Sequence, residues 1–106
     1  MKNGIYFVVF SSNQHDFGNG TVVVKDNVVN GGDYGFTYQG KVDGGTLGLH
    51  VFQHDPSATA VFQGVTDFNL SLSVQESGQG YVLTGSVVGM SSAQINISAK
   101  FIGSLL

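Results

Sequence analysis

The residues of this chain best suited to chemistry are its three histidines, and two of them, His50 and His54, stand four positions apart with Asp55 beside the second. Imidazole and carboxylate in one short segment raise the question of a metal site. The segment reads as a strand, however, and four strand residues span about 13 Å at roughly 3.3 Å each. Two imidazoles sharing an ion must each lie about 2.1 Å from it, so only a turn forced at once by Pro56 could bring them together. No metal is expected. His15-Asp16 falls in a turn between two strands, where both side chains are solvated. Serines are plentiful, yet none sits in a Gly-x-Ser-x-Gly elbow or another ordered nucleophile motif, so a hydrolytic triad has no frame. Asp33, Asp43, Asp55, Asp67 and Glu76 are scattered near turns without the pairing that acid–base work needs. The expectation is a protein that is not an enzyme and takes no cofactor.

The elements that position these residues are strands. Phe68, Leu70, Leu72 and Val74 alternate with Asn69, Ser71 and Ser73, and Ile95, Ile97, Ala99 and Phe101 alternate with Asn96, Ser98 and Lys100. Period-two alternation of this kind is a half-buried strand with one face toward a core. Further strands are predicted at about 4–12, 20–25, 27–30, 34–43, 46–54 and 80–88. They are divided by Asn19-Gly20, Asp26-Asn27, Gly31-Gly32-Asp33, Asp43-Gly44-Gly45 and Ser77-Gly78-Gln79-Gly80, all common turn chemistry. Eight short antiparallel strands fit a closed up-and-down barrel or a two-sheet sandwich, and the successive tight turns favour the barrel. Residues 55–65 are the least regular: Pro56 ends a strand, and residues 57–62 suit either a helical turn or a loop across a barrel mouth. Gly35, Gly40, Gly48, Gly85 and Gly89 fall in or at the ends of strands, where a sharp bend or a close contact accounts for them.

Composition bounds the function. The 106 residues make one domain, 42% apolar and 10% charged, with 16 glycines, one proline and no cysteine. Disulfides and thiolate chemistry are thereby removed. Four lysines and arginines against seven acids give a formal charge of -3, with no basic cluster to neutralise phosphates, so direct nucleic-acid binding is not expected. The six-residue apolar run from Ile5 to Phe10 is too short for a signal peptide core, and no run approaches the roughly 18 residues of a membrane span. A cytoplasmic location is expected.

One combination of motifs is more specific. An N-terminal Asn3-Gly4-Ile5-Tyr6 strand is followed by Asn19-Gly20-Thr21-Val22-Val23-Val24, then Asn30-Gly31-Gly32-Asp33 and Tyr38-Gln39-Gly40, with Ala99-Lys100-Phe101-Ile102 near the end. In order and spacing this resembles the GrlR family over about residues 3–43 and 95–105. The resemblance implies a small lipocalin-like or calycin-like barrel, usually a homodimer, whose interior can hold an apolar or lipid ligand. It also implies a negative regulator of bacterial type III secretion genes that holds a helix-turn-helix transcriptional activator inactive. The best-known members engage the activator through a run of alternating Glu and Asp after the Tyr-Gln-Gly strand. This chain has Lys41-Val42-Asp43-Gly44-Gly45-Thr46 there, so Asp43, Gly44 and Gly45 are the candidate partner contact.

An eight-stranded barrel is about the size that either fills with side chains or holds one small ligand. The candidate interior residues are Phe36, Tyr38, Leu49, Val51, Phe68, Leu70, Leu72, Leu83, Ile97 and Phe101, with Tyr6 or Phe7 from the first strand. Phe52 and Phe62, near the irregular segment, are expected at a barrel mouth or a subunit contact. In the segment "NGGDYGFTYQG", Asn30-Gly31-Gly32 is expected to reverse the chain with positive backbone torsions. Asp33 is expected to hold the turn through its side chain, and Tyr34, Phe36 and Tyr38 to share one strand face.

Overall fold

A computed structural model describes residues 1–13, 18–59, 62 and 64–106. Its described elements are β1 (Gly4–Ser12), β2 (Gly18–Lys25), β3 (Val28–Gly32), β4 (Phe36–Asp43), β5 (Thr46–Gln53), β6 (Asp67–Ser77), β7 (Gly80–Val87) and β8 (Met90–Gly103). Each strand pairs antiparallel with the next, and β1 returns to β8 from Ile5↔Gly103 to Ser12↔Ile95, closing an up-and-down barrel. The barrel expected from sequence is therefore the fold. Among the described residues there is no helix long and apolar enough to cross a membrane.

The hairpins form at residues that tolerate the left-handed region. Asp26 and Asn27, at φ 52° and 63°, make the two-residue connection between β2 and β3, and Gly44 and Gly45, at φ 60° and 83°, do the same between β4 and β5. Two successive positive torsions give the primed turn whose twist matches the strands it joins. The β3–β4 connection works differently. Asn30, Gly31 and Gly32 belong to β3 and none of them has positive φ, so the expected reversal there does not occur. Asp33 reverses the chain with its side chain, Oδ1 accepting hydrogen bonds from the backbone N–H groups of Gly35 at 2.8 Å and Phe36 at 2.7 Å. Because β4 begins only at Phe36, Tyr34 lies outside the strand alternation and points to solvent at 72% exposure. It does not share the inward face of Phe36 and Tyr38.

Alternation fixes the core. Inward positions along β6 (Phe68, Leu70, Leu72) and β8 (Ala93, Ile95, Ile97, Ala99) are buried, while the residues between them are exposed. In β1, Tyr6 is fully buried and Phe7 faces out. The interval between β5 and β6 contains turns near Pro56 and an isolated bridge between Phe62 and Val65. His15 and Asp16 lie outside the described residues.

Close approach of strands explains some of the strand glycines. A Cβ on Gly85 would stand 1.9 Å from the Ser71 carbonyl oxygen, and one on Gly40 would stand 2.1 Å from that of Gly48. Gly35 would meet the Ala58 Cβ at 2.2 Å, and Gly89 serves a turn at φ 85°. Gly48 differs from these, since a side chain there meets open space. Gly85→Ala must push β6 and β7 apart and is expected to cost about 1–3 kcal/mol. Gly48→Ala is expected to leave stability unchanged or raise it by about 0.4–1 kcal/mol through the unfolded chain. Urea unfolding midpoints of the two variants check the pair.

Candidate functional site

Nine of the ten residues expected inside the barrel are buried: Phe36, Tyr38, Leu49, Val51, Phe68, Leu70, Leu72, Leu83 and Ile97. Phe101 is only half-buried, because it ends the inward row of β8 at the rim. Seven of them, excepting Phe36, Leu72 and Phe101, line a cavity of about 50 Å³ with wholly apolar walls. The wall also includes Met1, Val8, Phe10, Val22, Val29, Leu47, Ile95 and Ala99. Ile95 and Ala99 follow from the alternation of residues 95–101, whereas the continuous apolar runs at 5–10 and 22–24 leave the inward face of those two strands open in the sequence. That Met1 folds back onto the core had no sequence signal.

The first three residues cross the barrel end that carries the β2–β3, β4–β5 and β6–β7 turns. The Met1 amino group donates to Asn27 Oδ1 at 2.9 Å, the Lys2 backbone N–H to the Tyr81 hydroxyl at 2.9 Å, and Asp26 N–H to Asn3 Oδ1 at 2.9 Å. The Tyr6 hydroxyl donates to the Lys2 carbonyl at 2.6 Å. Burial, helped by the neighbouring Tyr81, pushes the Tyr6 phenol up to about 12. Lys2, Tyr6, Glu76, Tyr81 and Phe101 line a groove of about 470 Å³ at this end.

The opposite end is closed by Phe62, which is fully buried and meets Phe68 edge-on at 5.6 Å. Phe62 therefore plugs a mouth, as one of the two expected roles had it, and is not available for a subunit contact; Phe52 is half-buried and stacks on His50 at 4.8 Å. The β3–β4 turn is tied to the residues after β5: His54 and Asp55 backbone N–H groups donate to the Gly35 carbonyl at 2.8 and 3.2 Å, and His54 Nε2 contacts the Asp33 carbonyl at 2.9 Å. Asp33 Oδ2 accepts a short hydrogen bond from the Tyr38 hydroxyl. Burial first, and this bond second, drive the Tyr38 phenol well above its ordinary range.

The carboxylates thus divide into two groups. At the Phe62 end, Asp33 serves its turn and Tyr38, Asp55 accepts from Ser57 N–H and Oγ at 3.0 and 2.8 Å, and Asp67 sits 2.7 Å from His50 Nε2. Its bonds to Ser57 hold the Asp55 carboxyl below the usual carboxylate range. At the other end the carboxylates of Asp26, Asp43 and Glu76 form no hydrogen bond or ion pair among the described residues. Asp43, Gly44 and Gly45, the candidate partner contact, are all exposed there. Among the described residues no three His, Asp or Glu side chains are grouped to hold a metal ion.

The two phenols give a pH signature. Both have folded values above the ordinary 10.0, so the stability gained by keeping them neutral is complete below pH 10.0 and is lost as pH rises through the folded values. Thermal melts from pH 8 upward should fall in Tm above about pH 10, with phenolate absorbance of these tyrosines appearing only as the fold opens. In Tyr38→Phe the same descent should be shallower.

Two comparisons bear on identity. Residues 1–105 match the protein family described as "T3SS negative regulator, GrlR", which is nearly the whole chain. No curated protein matches the chain by sequence. The closed barrel and the family match agree with the motifs at Asn3–Tyr6, Asn30–Asp33 and Tyr38–Gly40: the chain belongs to the GrlR family of negative regulators of type III secretion.

Proposed function

We propose that this chain regulates by binding a protein, with the barrel end that carries Asp26, Asp43 and Glu76 as the docking face and a helix-turn-helix transcriptional activator as the partner. The observation that carries this reading is the division of the carboxylates: those at the Phe62 end are consumed by internal bonds, while these three are free of partners among the described residues. A DNA-binding activator exposes basic side chains that contact phosphates, and these carboxylates offer it individual pairing sites, set among the four lysines, Lys2, Lys25, Lys41 and Lys100, that the same end carries. Asp43 is then one contact among several carried on separate turns, in place of a single acidic run. The filled interior favours an exterior function as well, since pockets for drug-sized ligands run to roughly 300–1,000 Å³ against about 50 Å³ here.

The same reading has the chain acting in the cytoplasm as a homodimer. Its outer face over β1, β8 and β7 is uncharged where Val9 and Val82 flank Ser98, and both valines are 38% exposed. Wild-type protein should sediment as a dimer and Val9→Asp as a monomer; identical sedimentation of the two would contradict that face. A second reading, an apolar ligand inside the barrel, is supported by the wholly apolar cavity wall. A void of that size suits a small apolar guest better than a lipid chain.

The regulatory reading is tested in a reporter strain driven by a type III secretion promoter and its helix-turn-helix activator. Expression of the chain should lower reporter output. The double variant Asp26→Asn, Asp43→Lys should weaken capture of the activator about tenfold, chiefly through slower association. Asp67→Asn should leave it unchanged. Equal repression by all three proteins would contradict the proposed face.

A further inference from the structure

Along β6 the inward row runs Phe68, Leu70, Leu72, Val74 and then Glu76. Glu76 is the one charged side chain on the inward-facing positions of the described strands; Lys25, Lys41 and Lys100 all fall on outward positions. It shares the groove at the barrel mouth with three aromatic rings, Tyr6 lying 5.9 Å from Tyr81 and 5.7 Å from Phe101. A ring face and a carboxylate both present negative potential, so placing them together suits a cation and little else. The structure already holds one there: Lys2 Nζ sits 4.2 Å from the centre of the Phe101 ring. Among the described residues that ammonium makes no ion pair, and neither does Glu76.

We propose that this mouth is a docking site for an arginine side chain of a protein partner, an inference that rests on the regulatory reading above. The guanidinium replaces the Lys2 ammonium over Phe101 and pairs with Glu76, using both its flat face and its forked donors. A lysine can supply only the first of these interactions as a point charge. Lys2 swings into solvent on exchange, which the exposure of its own side chain permits. The occupant is set by the site's chemistry and by the partner's: helix-turn-helix proteins use such side chains on DNA phosphates, and an arginine held in this mouth is withdrawn from DNA.

The test is a titration of the full chain with Nα-acetyl-argininamide, monitored by NMR of the Tyr81, Phe101 and Glu76 side chains. Saturable shifts confined to this groove are expected. Glu76→Gln should weaken binding about threefold and Lys2→Ala, which removes the internal competitor, should tighten it by a similar factor. Unchanged melting curves would show that both variants fold. Absence of saturable shifts in wild type and Lys2→Ala alike, or binding untouched by Glu76→Gln, overturns the proposal. So does a groove that responds to choline and ignores argininamide. If argininamide fails while repression in the reporter strain persists, the arginine site falls and the regulatory reading stands. Failure of the wild-type chain to repress is failure of that reading itself.

Discussion

The pairing of β1 with β8 is the constraint on which the rest of the molecule depends. By closing the sheet it removes the exposed edges that an open eight-stranded meander would leave, and it forces every strand to commit one face to the interior. A one-residue slip in any strand would turn its apolar row to solvent. Register irregularities occur where closure bends the sheet, between Ile5 and Tyr6 against β8 and between Ser86 and Val87 against the same strand. A bulge lets a strand re-aim its side chains there without abandoning the ladder.

Closure also limits the space inside. The inward rows of eight strands fill the barrel until only an apolar void of about 50 Å³ is left, and no buried side-chain donor or acceptor among the described residues lacks a partner. Such an interior supplies stability more readily than chemistry. Inward rows bring polar groups to the surface only at the ends of strands, where alternation carries an inward position beyond the packed core. Glu76 and Phe101 both occupy positions of this kind. The two ends differ because one is plugged by a core aromatic, Phe62, and bound by Asp33 and His54, while the other is crossed by three residues held through exposed hydrogen bonds.

Alternation made the barrel legible in the sequence, since a period of two in residues 68–74 and 95–101 depends only on one face being buried. The hairpins at Asp26-Asn27 and Gly44-Gly45 were legible because few residues accept positive φ. Asn30-Gly31-Gly32 misled for the same reason: glycines that can reverse a chain can also extend it, and Gly31 lies where a Cβ would strike the Thr21 carbonyl at 2.1 Å. Tyr34 was misplaced because the side-chain turn at Asp33 delays β4 by two residues. The mouth was hidden altogether. Its groove unites residues from β1, β6, β7 and β8 with Lys2, and no spacing along the chain reveals that Glu76 lines it together with the three rings.

We propose that the free carboxylates at one barrel end receive basic side chains of a transcriptional activator. The deciding measurement is hydrogen–deuterium exchange of the chain, alone and mixed with the proposed partner, a helix-turn-helix activator of type III secretion genes. Added protection is expected in the turns at 26–27, 43–45 and 77–79, with the β3–β4 turn at 33–35 unchanged. Protection confined to the turn at 33–35 and residues 54–59, or none anywhere, would contradict it.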